Sequence, residues 1–271
     1  MAIYDCFSYW DEDLLLDLRL NILDEYVDYF RIVEGDKTWQ NNPKKLRFKI
    51  ENFKKFKDKI IYVPVKDMPE GDNPFKRENH QRNAISRGLV NASDEDIVIV
   101  SDLDEIPNPK KLKLFKGSMK YAVFKQMHFY YKINLQSQVN PHWYGSRICI
   151  KKYLKSPQWL RDLKFKKRPF WRLDKIRLNN IIDEGGWHFC NLKDPEQLLY
   201  KYKNLCETND PYVFKEKIDN KYLKLEEITN RVNSGLDIIG RKENYRSINL
   251  DNRFPDYITK RKKSLKKWII N

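Results

Sequence analysis

Three carboxylates, Asp102, Asp104 and Glu105, follow the β-branched run Ile97-Val98-Ile99-Val100 and are closed off by Pro107. Carboxylate oxygens at positions i and i+2 suit a hard divalent cation such as Mg²⁺ or Mn²⁺, which shares its coordination with substrate phosphates. Asp104 and Asp102 are therefore candidate metal ligands. A second segment, Asp183-Glu184-Gly185-Gly186-Trp187-His188, gathers two carboxylates, two glycines and a histidine in six residues. Asp183 and Glu184 are candidate general bases, and Gly185 and Gly186 allow a backbone to approach a ligand closely. His188 is a candidate metal ligand or proton shuttle, although a lone histidine between Trp187 and Phe189 also reads as a packing residue. Upstream, Arg77, Arg82 and Arg87 have the planar fork that matches phosphate oxygens. Arg87 reads as a solvated helix face, while Arg77 and Arg82 are candidates for a nucleotide diphosphate.

These groups need a scaffold, and the first hundred residues supply its pattern. The stretches 3–9, 29–35, 59–65 and 97–100 read as strands, the first and last of them buried. Helical spacing over 11–27 (Leu15, Leu18, Ile22, Tyr26), over 41–56 (Leu46, Ile50, Phe53) and over 78–92 predicts helices between them. Such alternation implies βαβ units, a mainly parallel central sheet and flanking helices, with ligands bound beyond the carboxyl ends of the strands. After Pro109 the aromatic-rich stretches 121–135 and 142–154 predict longer, antiparallel strands, and helical patterns follow Asp194 up to a basic tail. The expected organisation is one domain over 1–271: a nucleotide-binding βαβ half (1–109), an acceptor-side half (110–192), and C-terminal helices with the tail (193–271).

Composition narrows the partners. The chain has 271 residues, 41% hydrophobic, with 53 Lys and Arg against 38 Asp and Glu, a formal charge of +15. That balance favours an anionic partner: a phosphorylated small molecule, nucleic acid or an acidic membrane surface. Cys6, Cys149, Cys190 and Cys206 are too scattered for a zinc ribbon or a disulfide framework and are expected to be reduced. The first ten residues do not read as a signal peptide, and no apolar run reaches the roughly 18 residues of a membrane span. A cytoplasmic location is therefore expected. The basic–aromatic stretch Phe165 to Trp171 is read as an acceptor-facing loop, with nucleic-acid binding not expected. The tail, carrying Ile258, Leu265, Trp268 and Ile269, is read as docked on its own domain, with peripheral membrane contact as the alternative.

The blocks "IYDCFSYWDEDLLLDLRLNILDEYVDYFRIVEG", "HQRNAISRGL…DEDIVIVSDLDEIP" and "DEGGWHF", in that order, resemble glycosyltransferase family 17. The resemblance covers most of the chain. It implies a GT-A-type α/β fold, a UDP-GlcNAc donor, Mn²⁺ or Mg²⁺, a glycan or glycoconjugate acceptor, and inversion at the anomeric carbon. Asp102 and Asp104 match the family's Asp-x-Asp, and Asp183, Gly185, Gly186, Trp187 and His188 match its Gly-Gly-Trp-His-Phe region. On this reading Asp104 holds the cation and Asp102 assists through water or ribose. Glu34 is expected to contact the uracil or ribose, and Glu184 or Asp183 to take the acceptor proton. The competing readings are a phosphatase of haloacid-dehalogenase type and a basic nucleic-acid or membrane-surface binding protein.

Overall fold

The computed structural model describes residues 1–164, 180–206 and 222–270. In chain order the strands are β1 (Ile3–Ser8), β2 (Tyr29–Gly35), β3 (Ile60–Val65), β4 (Ile97–Asp102), β5 (Glu105–Pro107), β6 (Tyr121–Tyr130), β7 (Leu135–Ser137), β8 (His142–Ile150), β9 (Ile181–Cys190) and β10 (Tyr245–Ser247). The helices are α1 (Asp13–Leu23), α2 (Pro74–Asn83), α3 (Pro157–Asp162), α4 (Pro195–Asn204), α5 (Leu225–Asn233) and α6 (Asp256–Thr259).

The strands form one sheet in the order β10-β7-β6-β8-β4-β1-β2-β3, with β9 paired to β6 and β5. β3, β2, β1 and β4 are parallel, as the βαβ rhythm predicts. β8 joins β4 antiparallel, β6 pairs β8 antiparallel, and β9 returns parallel to β6. The sheet is therefore mixed, which corrects the expectation of a mainly parallel one. From β6 to β8 the connections are too short for crossover helices, so those strands turn back on one another.

Burial alternates along β4. Ile97 and Ile99 join α1, Phe30 and Ile32 in one core, whereas Val98 and Val100 join Cys6, Val33, Ile85 and Leu160 on the other face. Both faces of the parallel half are thus covered, the usual environment of such strands. Helix starts are written locally. Asn73 caps α2 through Phe75 N, Ser156 caps α3 through Trp159 N, and Asp194 with Gln197 forms a capping box on α4; each is followed by proline.

Two predicted helices fall short. Over 41–56 only Ile50–Phe56 turns, as a 3-10 segment. The reason is Glu34, whose buried carboxylate accepts the backbone N–H of Arg47 (2.8 Å) and Phe48 (3.0 Å) and thereby withdraws those donors from a helix. The 78–92 pattern is split into the end of α2 and a 3-10 segment, Ala84–Leu89. In the tail, Ile258 and Leu265 are buried in the α1-side core, with Trp268 and Ile269 packed against it. Among the described residues no helix is long and apolar enough to cross a membrane.

Candidate active site at the carboxyl rim of the sheet

Parallel pairing sets Ser8 of β1 level with both Val33 of β2 and Asp102 of β4. The loops leaving these three strands therefore open on one rim. The Asp-Leu-Asp-Glu turn after β4 is held there from below by Arg19, on α1. Its guanidinium is fully buried and paired with Asp5 of β1 through bonds of 2.7 and 2.6 Å. It also donates to the carbonyls of Asp102 (3.0 Å), Leu103 (3.1 Å) and Glu105 (2.9 Å). One side chain thus fixes three of the turn's carbonyls. That is a use of the arginine fork which a lysine cannot copy.

The carboxylates of the turn face several cations. Asp102 accepts from Arg82 of α2 and Arg161 of α3, each at 3.0 Å. Glu105 is buried beneath, bound by Arg161 at 2.6 and 2.9 Å and by the Trp143 indole at 2.7 Å. Burial alone would raise the Asp102 carboxyl; the Arg161 and Arg82 charges outweigh it and hold the group well below the usual carboxylate range. Asp104 lies 3.5 Å from Nε2 of His188 and keeps its side chain 16% exposed. Its carboxyl, raised by burial, is lowered on balance by His188. Lys201 of α4 faces Asp104 and Glu12, whose charges raise its ammonium above the ordinary lysine value despite burial. Lys193 pairs with Asp11 and lies 3.4 Å from Glu12. The rim therefore presents Asp102, Asp104, Asp11 and Glu12 against Arg82, Arg161, Lys193 and Lys201. This arrangement can receive an anion and a cation together.

A profile of glycosyltransferase family 17 matches residues 2–246. The chain belongs to this glycosyltransferase family. Among curated proteins it is similar to the β-1,4-mannosyl-glycoprotein 4-β-N-acetylglucosaminyltransferases of Homo sapiens, Rattus norvegicus and Mus musculus. Each is 23% identical over 215 residues. The match takes in 69% of this chain and 40% of the human protein, or 39% of the rodent ones, so the chain spans well under half of these relatives.

Within this family 17 chain, the rim gathers Asp102, Asp104, Arg82 and His188 as the sequence suggests, but not the other candidates. Asp183 and Glu184 sit in an irregular part of β9, their side chains 73% and 78% exposed, paired with Lys125 and Lys111. With Met127 and Trp187 they line a cavity of about 790 Å³. Side chains alternate across a strand, so Met127 and Trp187 face away from His128 and His188, their neighbours on the rim side. The base expected at 183–184 is thus separated from the Asp102–Asp104 turn. Gly185 and Gly186 are needed for strand packing rather than a ligand. A Cβ on Gly185 would meet the Ile182 carbonyl at 2.6 Å. Gly186 has φ +136°, and its Cβ would lie 2.1 Å from the Ile106 carbonyl.

Glu34 is also occupied. Besides Arg47 and Phe48, it accepts from Tyr62 (2.9 Å) and Lys44, and so anchors the chain after β2 rather than a nucleotide. Arg77 is buried and donates to the carbonyls of Trp39, Pro69 and Gly71, a loop clamp away from the turn. Arg87 pairs with Asp67 on the surface, as expected. The acceptor loop expected from Phe165 to Trp171 lies outside the described residues. Arg19, Arg161, Lys193 and Lys201 carry no local spacing signal.

Proposed function

We propose that this protein is an inverting, metal-dependent transferase of GT-A type that moves GlcNAc from UDP-GlcNAc onto a hydroxyl of a glycan acceptor. One observation carries the reading: the Asp-x-Asp turn stands at the carboxyl rim of four parallel strands, pinned by a buried arginine and ringed by cations. Mn²⁺ or Mg²⁺ would be held by Asp104 and by the remaining lone pairs of Asp102. The ion would supply positive charge to the departing diphosphate. The fit rests on Asp104, whose carboxylate stays partly open while Arg82 and Arg161 already orient Asp102.

The chain's own residues supply the rest. Lys201, raised above its ordinary pKa by Asp104 and Glu12 although half-buried, stays charged and offers the donor phosphates an ammonium. Arg82 and Arg161 keep Asp102 ionised. Inversion in a single displacement needs a base for the acceptor hydroxyl. We assign this to Glu12, which lies on the rim side with Lys193 as a neighbour at 3.4 Å, in place of Asp183 or Glu184. His188 then orients Asp104 rather than ligating the same ion. The donor and acceptor classes follow from the resemblance and from the names of the relatives. The excess of positive charge would draw in an anionic donor.

The test is thermal stability and donor turnover across a panel of nucleotide sugars, with and without Mn²⁺. A metal-dependent shift with UDP-GlcNAc, lost in Asp104→Asn, supports donor, cation and site together. A metal-dependent shift with a different nucleotide sugar would replace the donor alone. Phosphate release from simple esters, with no nucleotide-sugar response, would overturn the transferase reading.

A further inference from the structure

The geometry points to a second metal site beside the turn, for a transition-metal dication such as Zn²⁺, made by His128, His188 and Cys190. It starts from strand register. In the parallel β6–β9 ladder His128 lies beside His188 and Tyr130 beside Cys190, so both histidines and the cysteine face one side. One ligand atom from each of the three falls within 4.8 Å of the other two. Both histidines are buried, at 3% and 7% exposure, and their rings stand parallel with centroids 4.8 Å apart.

The second observation is independent of clustering. Nε2 of His128 and Nδ1 of His188 are both buried and satisfy no hydrogen-bond geometry. Buried polar atoms in that state call for a partner. The opposite nitrogen of each ring is supported from behind. Nδ1 of His128 is 3.0 Å from the Asn140 carbonyl, and Nε2 of His188 is 3.5 Å from the Asp104 carboxylate. Ligating histidines are held this way, with a carbonyl or carboxylate behind the ring fixing the nitrogen that faces the ion.

The donor set chooses the ion. Two imidazoles and a thiolate favour Zn²⁺ and its neighbours over Mg²⁺ or Mn²⁺, which prefer oxygen. Cys190 is only half-buried, so a fourth position can open to solvent. A His188-bound ion would also hold Asp104 from behind, coupling this site to the donor cation. That coupling rests on the proposed function, whereas the site does not.

The test uses the full chain and Co²⁺ alone as probe, because a thiolate–cobalt bond gives a charge-transfer band in the near ultraviolet. Wild type should bind one equivalent with that band, and Zn²⁺ should bleach it. Cys190→Ser should lose the band, and His128→Gln should weaken Co²⁺ binding more than ~10-fold, since even supporting residues matter that much. Asp104→Asn should abolish donor turnover yet keep the band, which separates failure of this site from failure of the proposed function. Absence of the band in wild type, or its persistence in folded Cys190→Ser, would overturn the proposal.

Discussion

Replacing Arg19 by lysine tests whether one buried side chain sets the geometry of the Asp-Leu-Asp-Glu turn. The guanidinium makes six hydrogen bonds: two to Asp5, one to Ser101 Oγ, and one each to the carbonyls of Asp102, Leu103 and Glu105. A lysine ammonium keeps the charge beside Asp5 but has three donors, so at least three bonds are lost. At about 1 kcal/mol net each, the variant should lose about 3 kcal/mol. In a chain of this size that is a fall in Tm of about 6–12 °C. The larger effect should be on turnover. With its carbonyls released the turn can shift, and a displacement of about 1 Å at a catalytic group can cost ~100-fold. Urea unfolding and donor turnover on the same preparation provide the assay. Wild-type stability and turnover in Arg19→Lys would refute the argument. Lower stability with full turnover in the folded fraction would show that Arg19 packs α1 against the sheet without positioning the turn.

Other outcomes follow from the same geometry. Gly186→Ala should destabilise by about 3 kcal/mol, because φ is +136° and the new Cβ meets the Ile106 carbonyl; an unchanged thermal melt would contradict it. The double variant Asp183→Asn, Glu184→Gln should keep turnover within about twofold, since both groups are exposed ion-pair partners away from the rim; a ~100-fold loss would restore them as bases. Glu12→Gln, by contrast, should lower kcat at least ~100-fold at unchanged donor affinity, read by steady-state kinetics with donor and acceptor varied separately. Chelation of Mn²⁺ or Mg²⁺ should remove donor turnover while leaving the melting temperature without donor within about 2 °C, and a coincident collapse of the fold would show that the ion is structural.

The parallel half of the sheet was legible because each of its strands is a mostly apolar run, interrupted by Asp5 in β1 and by Arg31 and Glu34 in β2, that alternates with helical spacing. The run Ile97–Val100 feeding three carboxylates was equally plain. The 41–56 helix failed where a tertiary contact overrode periodicity: Glu34, distant in sequence, takes the backbone donors of Arg47 and Phe48. The site was half legible for a related reason. Asp102 and Asp104 stand two apart in sequence, but their partners Arg161 and Lys201 arrive from α3 and from α4. No spacing rule connects them. Asp183 and Glu184 misled because proximity to His188 in sequence suggested proximity in space. Strand alternation and the irregularity at Gly185-Gly186 send those side chains elsewhere.

The arrangement also accounts for a carboxylate cluster in a chain that carries an excess of positive charge. Asp102 and Glu105 share Arg161, Asp102 takes Arg82 as well, and Arg19 holds the backbone between them from the core. Uncompensated, such charges at the rim would repel one another and loosen the turn. Neutralised by arginines of α2 and α3, and with its backbone held by Arg19 of α1, the turn is ordered by the fold itself. The consequence is mechanistic. If the turn had to be ordered by a cation and a donor, binding free energy would be consumed in ordering it. Because α1, α2 and α3 have already ordered it, that free energy remains available for interactions that strengthen as charge develops on the leaving group. Asp104 is the one carboxylate of the turn that no arginine engages among the described residues, and that is the property a ligand for an exchangeable cation requires.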